Sequence, residues 1–281
     1  MNRAFTVASA TALILAGAAF TEIHDRPAPD GSLANPAEFT VTAREYSFDA
    51  PATVPAGYVK LRMVNRGREG HHVQLIRLAP GKTLGDFQQA MQAGGPLPPW
   101  VTLVGGPGAA DPGGEANATT YMPAGQYALL CFVPAPDGKP HVMHGMIRPL
   151  TATARKRVTG TAPRPDVSIR LVDYGFDMKL PIRAGRRTFE VWTDAPQPHE
   201  VILVKLNPGV TAAQFLHAVE SPNGPPPGHF LGGVSGLSSR ERAYFTADLR
   251  PGTYTLVCFV PDHKDGKPHV AHGMFRDITV E

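Results

Sequence analysis

The chain has 281 residues, 42% of them hydrophobic and 18% charged, which is enough for two modest domains with cores of their own. A net charge of +3, with the basic residues dispersed, argues against a nucleic-acid partner. Glycine and proline, 29 of each, are scattered without a period and indicate many turns between short strands rather than a fibrous or low-complexity chain.

Residues 1–20 have the form of a secretory signal peptide. Met1-Asn2-Arg3 precedes an apolar run over residues 4–20, and Ala16-Gly17-Ala18 offers a small-x-small cleavage site. An uncleaved anchor is the competing interpretation, but the run is short for a membrane span, and no later segment is long and apolar enough to cross a bilayer. We therefore expect a periplasmic or secreted protein with a flexible leader over residues 21–36.

The remaining chain contains two copies of one unit. Tyr46-Ser47-Phe48-Asp49 matches Tyr174-Gly175-Phe176-Asp177, and Lys139-Pro140-His141 matches Lys267-Pro268-His269, at an offset near 128 residues. This period is too long for a solenoid repeat and indicates a duplicated domain. We predict a first domain over residues 37–150, a linker over residues 151–165 and a second domain over residues 166–281.

Each copy has mostly the pattern of strands. Residues 58–64 and 187–192 alternate apolar with polar side chains, as half-buried strands do. Apolar residues shift to helical spacing only over residues 84–91 and 212–219, which predicts one short helix per copy. The pattern is typical of an all-β protein, with an antiparallel sandwich of about seven or eight strands in each copy.

Three chemically distinctive features recur in each copy. A histidine leads into a strand, a cysteine ends a later strand, and the loop that the cysteine opens closes with a histidine followed five positions later by a methionine. These residues are His71, Cys131, His141 and Met146 in the first copy, and His199, Cys258, His269 and Met274 in the second. Two imidazoles, a thiolate and a weak thioether form the donor set that blue-copper sites use.

The order of these residues resembles the cupredoxins, the plastocyanin and azurin superfamily, over nearly all of both copies. Pro198-His199-Glu200-Val201 is similar to the family's first-histidine strand, and the His-x4-Met spacing matches its last two ligands. The resemblance implies two tandem Greek-key β-sandwiches in which the eight residues named above are copper ligands, with one copper ion per domain. It implies electron transfer or copper binding, with a redox protein as the partner.

The loop between cysteine and histidine is longer than in small cupredoxins. Nine residues separate Cys131 from His141 and ten separate Cys258 from His269, which is closer to copper nitrite reductases and multicopper oxidases. Catalytic copper in those enzymes needs additional histidines, often directly before the cysteine or as His-x-His. Here Leu130 and Val257 precede the cysteines and no His-x-His occurs, so the sequence disfavours either kind of enzyme and assigns no catalytic residue.

Two ambiguities concern neighbouring histidines. His144 and His272 could be ligands in place of His141 and His269, or could orient them by hydrogen bonds. His72 has Glu200 at its position in the second copy, and we expect it to face solvent.

Two alternatives concern the whole set. Cys131 and Cys258 could form a disulfide, since the exported compartment permits one. The histidines, cysteines and methionines could also pack the end of a metal-free sandwich that binds a protein or a small ligand, because a buried cysteine often behaves as a small hydrophobe.

Overall fold

A computed structural model of the chain describes residues 35–155, 160–220 and 226–281. The predicted signal peptide and most of the predicted leader lie outside these residues, as do residues 156–159 of the predicted linker. All described residues belong to one compact unit. None of the helices in the described part of the chain is long and apolar enough to cross a membrane.

The described residues form seventeen strands and two α-helices. The first half contains β1 (Ala37–Arg44), β2 (Ser47–Asp49), β3 (Thr53–Pro55), β4 (Gly57–Asn65), β5 (Gln74–Leu78), α1 (Leu84–Ala93), β6 (Val101–Leu103), β7 (Glu115–Met122), β8 (Gly125–Leu130) and β9 (Ile147–Thr153). The second half contains β10 (Val167–Val172), β11 (Gly175–Met178), β12 (Gly185–Thr193), β13 (His199–Leu206), α2 (Ala212–Glu220), β14 (Gly228–Leu237), β15 (Arg242–Leu249), β16 (Gly252–Val257) and β17 (Phe275–Val280).

Each half is a sandwich of two sheets. In the first half β2-β1-β4-β7 faces β3-β9-β8-β5-β6, and in the second half β11-β10-β12-β15 faces β14-β13-β16-β17. The predicted sandwich architecture is confirmed, but the pairing is not purely antiparallel. The pairs β1 with β4, β10 with β12, and β3 with β9 are parallel, because the chain crosses between the two sheets before it returns beside an earlier strand.

The alternating pattern places apolar side chains between the sheets. In β4, Val59, Leu61 and Met63 are buried in the core, whereas Lys60 and Arg62 lie on the outer face. Full burial of such a side chain stabilises the fold by about 1.5–3 kcal/mol. The sandwich cores therefore supply most of the stability on which the sites depend.

Each helix covers the outside of the sheet that carries the cysteine strand. The helix α1 packs Phe87 against Ile76 and Leu130, and α2 packs Phe215 against the equivalent sheet. Thr83 caps α1 through a reciprocal bond with Asp86, the capping-box arrangement that fixes a helix start. The two predicted helices are thus confirmed, each within two residues of its expected end.

The two halves meet along two pairs of equivalent strands. The strand β7 pairs antiparallel with β15, which joins two sheets into a single sheet of eight strands. Residues 103–110 form a second antiparallel ladder with residues 231–238, in which the amide of Gly105 donates to Gly236 O (3.0 Å) and that of Gly108 to Gly233 O (3.1 Å). Because each strand pairs with its own repeat equivalent, the interface resembles that of a two-fold symmetric dimer.

The second ladder requires glycine at two equivalent positions. Gly106 and Gly233 have φ of 118° and 115°, and a Cβ at these residues would lie only 2.2 Å from Val73 O and 2.1 Å from Val201 O. Each valine stands two residues after a histidine of the repeated motif. The close backbone contact therefore fixes the strand segments that carry His71 and His199.

Candidate metal centres

The backbone pins the ends of the cysteine loop in the same way in both halves. Cys131 N donates to Met146 O (3.3 Å), Val142 N to Cys131 O (2.8 Å), and Met146 N to His141 O (3.0 Å). The second half repeats all three bonds, at 3.2, 2.9 and 3.0 Å. The one-residue difference in loop length is therefore taken up away from the cysteine, the histidine and the methionine.

In the first half, three of the four predicted ligand side chains converge. Nδ1 of His71 lies 3.1 Å from Nδ1 of His141, and Sγ of Cys131 lies 3.4 Å from His141 Nδ1 and 3.9 Å from His71 Nδ1. All three residues are fully buried. We call this cluster site 1.

The second half contains the equivalent cluster, site 2. Nδ1 of His199 lies 3.0 Å from Nδ1 of His269, and Cys258 Sγ lies 3.4 Å from His269 Nδ1. The amide of Glu200 donates to the same sulfur at 3.4 Å. These three residues are also fully buried, and all their donor atoms lie within 4.8 Å of one another.

The spacing of the donor atoms suits a metal ion. Three donors about 2.0–2.3 Å from one ion in a trigonal plane would lie about 3.5–3.7 Å apart. The observed separations of 3.0–3.9 Å bracket that range. The residues therefore fit copper, for which two imidazoles and one thiolate are a preferred set.

The methionines lie next to the clusters along the chain. Met146 and Met274 are fully buried, and the main chain of each bonds both the cysteine and the loop histidine of its own site. This places them as neighbours of the cluster. Their role as axial ligands stays a prediction.

Burial sets the protonation of both sites in the absence of a metal. It raises the pKa of the Cys131 thiol to about 12 and that of Cys258 well above its usual range. It also lowers the pKa of His71 and of His269 to about 4, helped in each case by the neighbouring imidazole. Each metal-free site thus holds a neutral thiol, and a metal must displace its proton.

Of the two histidines in each loop, His141 and His269 are the ones that lie in the clusters. His144 and His272 lie outside the clusters and face Asp137 and Asp265, at 3.1 and 3.2 Å. His144 stacks against Tyr46 with a centroid distance of 4.7 Å, and His272 lies tilted against Tyr174 with a centroid distance of 5.1 Å. These two histidines therefore lie beside the sites and outside the donor clusters, and the choice of His141 and His269 as ligands stays a prediction.

The prediction that His72 faces solvent is wrong. His72 is buried, and its Nε2 accepts the amide hydrogen of Phe132 at 2.8 Å. In the second half the carboxylate of Glu200 accepts the amide of Phe259 at 2.9 Å. Both side chains therefore link the histidine strand to the cysteine strand by a hydrogen bond. The sequence did not indicate that they are equivalent, because one is an imidazole and the other a carboxylate.

The disulfide alternative is also wrong, because Cys131 and Cys258 are both free and each lies in its own cluster.

Sequence reasoning missed four carboxylates that face the far nitrogens of the imidazoles. They are Glu45 and Glu69 at site 1, and Asp173 and Asp262 at site 2. A signal for two of them was present, since an acidic residue precedes the repeated Tyr-x-Phe-Asp motif in both copies.

No protein-family model matches the sequence, and the search of curated proteins finds no match. Among solved structures, the dithionite-reduced auracyanin of the photosynthetic bacterium Roseiflexus castenholzii is 22% identical over 42% of this chain and 98% of its own, with a TM-score of 0.28. Auracyanin A, a blue copper protein of Chloroflexus aurantiacus, is 20% identical over 42% of this chain and all of its own, with a TM-score of 0.31.

A copper-containing nitrite reductase from Thermus scotoductus is 13% identical over 87% of this chain and 62% of its own, with a TM-score of 0.26. The arrangement of the strands themselves supports the prediction made from the repeated motifs. Each half has two facing sheets, one helix in a long connection, and the cysteine at the end of β8 or β16. The cupredoxin-like fold is therefore confirmed in both halves.

Proposed function

We propose that this chain is an exported copper protein that binds one copper ion at each of its two sites and transfers single electrons to a redox protein partner. The observation that carries the proposal is the convergence of two imidazole nitrogens and one thiol sulfur, buried and repeated in both halves. A metal-free sandwich would not need these donor atoms to meet twice. Copper, when bound, supplies the one-electron chemistry.

Two sets of backbone contacts hold the donor residues in place. The ladder between the halves fixes the strands of His71 and His199, and the loop bonds fix the cysteines and the loop histidines. A site that is already assembled needs little rearrangement when the charge of its ion changes. Rigid donors therefore favour electron transfer over a site that must fold around its metal.

The two sites are well separated along the interface ladder. His71 lies opposite Ala110 and His199 opposite Leu237, and six residues of the ladder separate the two positions, since Leu237 also pairs with Val104. At about 3.4 Å per residue, this corresponds to about 20 Å along the strands. Metal ions of a two-metal catalytic centre lie about 3.5–4 Å apart. The sites thus favour two independent carriers over one binuclear centre.

Metal content and visible absorption test the proposal. The purified chain, loaded with Cu(II), should hold two coppers and show the intense colour of thiolate-to-copper charge transfer. The double variant Cys131→Ser and Cys258→Ser should lose the colour. The matched control, His144→Ala with His272→Ala, removes two histidines from the same loops and should keep both metals. A colourless wild-type chain without bound copper would contradict the proposal.

A further inference from the structure

Each site carries two carboxylates that face the far nitrogen, Nε2, of an imidazole, and the two are not equivalent. At site 1 the carboxylate of Glu69 lies 2.9 Å from His141 Nε2, while that of Glu45 lies 3.9 Å from His71 Nε2. At site 2 the carboxylate of Asp173 lies 2.7 Å from His199 Nε2, while that of Asp262 lies 3.7 Å from His269 Nε2. Within the described part of the chain, one imidazole in each site therefore has a hydrogen-bond partner on its far side, and the other has none.

The partnered imidazole differs between the sites. At site 1 it belongs to the loop histidine, His141, and at site 2 to the strand histidine, His199. The far nitrogens of the other two, His71 and His269, are buried and have no hydrogen-bond partner among the described residues. The histidine whose Nε2 is hydrogen-bonded to a carboxylate is therefore not the equivalent one in the two copies.

The carboxylate that faces the loop histidine comes from a different loop in each copy. Glu69 precedes His71 by two residues, and Gln197 stands at the same place in the second copy. Asp262 follows Cys258 by four residues, where the first copy has Ala135. Gln197 donates to Asp262 at 3.1 Å, so the amide that replaces one carboxylate positions the other.

A tyrosine joins each carboxylate that faces a loop histidine. The hydroxyl of Tyr46 donates to Glu69 at 3.3 Å, and that of Tyr174 donates to Asp262 at 2.5 Å. Glu45 in turn accepts the backbone amides of Arg68 and Glu69. Glu45, Glu69 and Asp262 are therefore each held by hydrogen bonds to other parts of the protein.

These contacts determine where the imidazole protons lie in the metal-free protein. The carboxylate oxygens of Glu69 and Asp173 act as acceptors, which places the proton of His141 and of His199 on Nε2 and leaves Nδ1 of each ring bare toward the cluster. The two Nδ1 atoms of each site lie 3.1 and 3.0 Å apart, a distance at which one must donate to the other. The donors are then His71 and His269, which leaves their Nε2 bare and explains why it lacks a partner.

We propose that Glu69 and Asp173 are the positioning residues of the two sites, acting on opposite histidines, and that His71 and His269 are the histidines that change tautomer when a metal binds. The proposal rests on the proposed copper function for its second part only.

The proton count on metal binding follows directly. His141 and His199 already present a free lone pair on Nδ1, so they bind without losing a proton. His71 and His269 lose the proton on Nδ1 and gain one on Nε2, beside Glu45 or Asp262, so their net proton count does not change. Only the cysteine thiol gives up a proton to solvent, which makes one proton per metal ion.

Nitrogen-15 correlation spectra of the histidine side chains test the first part on the whole, metal-free chain. We expect the proton on Nε2 in His141 and His199, and on Nδ1 in His71 and His269. The variant Glu69→Ala should release the tautomer of His141 and leave that of His199 unchanged, and Asp173→Ala should do the reverse. Glu69→Gln keeps an oxygen acceptor and should restore the wild-type tautomer. Protons on Nε2 in all four metal-free rings would overturn the proposal.

Addition of Cu(I) under anaerobic conditions tests the second part. His71 and His269 should then carry the proton on Nε2, with one proton released per copper. In a chain whose second site is disabled by Cys258→Ser, Glu69→Ala should weaken Cu(I) binding about 10- to 100-fold, as loss of a group that orients a metal ligand does. Unchanged binding would overturn the positioning role. If wild-type protein binds no copper, the proposed function fails while the metal-free spectra still decide the positioning residues.

Discussion

The two halves of the chain agree in some parts of their sites and differ in others. Both halves bring two imidazoles and one thiol together, and the same three backbone bonds hold each loop. The surroundings differ, since His72 stands where Glu200 does and the carboxylate that faces the loop histidine comes from a different loop in each half. The two copies have the same donor atoms. Some of the residues that surround these donors differ between the copies but make similar hydrogen bonds.

This difference separates what assembles a site from what adjusts it. The assembly depends on the main chain, through the interface ladder and the loop bonds, and the two halves share it. The adjustment depends on side chains one layer further out, where an imidazole can replace a carboxylate provided that it accepts the same amide hydrogen. Two sites of one chain can therefore differ in charge and proton content while they bind the same ion.

The largest expected effect tests whether the two sites are independent. Cys131→Ser should remove the copper of site 1 and leave that of site 2, and Cys258→Ser should do the opposite, because each thiolate serves one cluster. Metal analysis should give one copper per chain for either variant. Loss of both coppers from one single variant would show that the halves share a metal and would end the comparison.

The second prediction concerns the interface that both halves share. Gly106→Ala and Gly233→Ala should each destabilise the chain by at least about 3 kcal/mol, because the new Cβ meets a carbonyl oxygen and the backbone adopts a φ that alanine disfavours. Urea unfolding measures the change. Gly113→Ala is the matched control, since its φ is 77° but its Cβ would meet no atom within 4 Å, so about 1–2 kcal/mol is expected.

A much smaller cost for one of the two glycines would contradict the symmetry of the ladder. Equal costs would show that the strands of His71 and His199 are held with the same strength. The comparison between the two variants is safer than either value alone, because both replace the same residue in equivalent surroundings.

Most of the fold could be predicted from the sequence because it depends on local patterns. The alternation in β4 and β12 and the helical spacing around Phe87 and Phe215 are short-range signals. The joining of two sheets through β7 and β15 could not be predicted, since it rests on contacts such as that of Thr119 with Tyr244, far apart in the chain. No periodicity records which strand edges will meet.

In the candidate sites, the donor residues could be predicted from the sequence, but two of the surrounding carboxylates could not. The donors His71, Cys131 and His141 stood out because the motif is duplicated and chemically unusual. Glu69 and Asp262 did not, because neither has a carboxylate at the equivalent position of the other copy. A comparison of the two copies identifies residues that are the same at equivalent positions. It misses functional residues that differ between the copies, and these are seen only from their contacts in the structure.

The third prediction uses the residues that tie the histidine strand to the cysteine strand. Burial raises the pKa of Glu200 to about 7 and lowers that of His72 to about 3. The contribution of Glu200 is therefore complete below its ordinary pKa of 4.5 and is lost as pH rises through about 7. That of His72 is complete above 6.5 and is lost as pH falls toward 3. Stability should therefore fall with rising pH because of Glu200 and with falling pH because of His72.

Glu200→Gln should remove the alkaline loss, which amounts to about 3 kcal/mol between pH 4.5 and 7.5. Urea unfolding of the metal-free protein at a series of pH values measures it. His72→Gln is the matched variant and should flatten the acid side instead. An unchanged slope above pH 4.5 in Glu200→Gln would show that another group causes the alkaline loss.

The smallest expected effect tests a contact that only one half supplies. The side-chain amide of Asn117 donates to Thr246 O (2.8 Å) and its oxygen accepts Thr246 N (3.0 Å), across the junction of β7 and β15. Because the contact is only partly buried, water can replace it, and Asn117→Ala should cost about 1 kcal/mol. Asn117→Asp keeps the acceptor but sets a carboxylate oxygen against the Thr246 carbonyl oxygen, so its cost should be larger. Thermal unfolding should still show a single transition in both variants, since the ladder of residues 103–110 with residues 231–238 remains; two transitions would mean that this side chain, rather than the ladder, couples the halves.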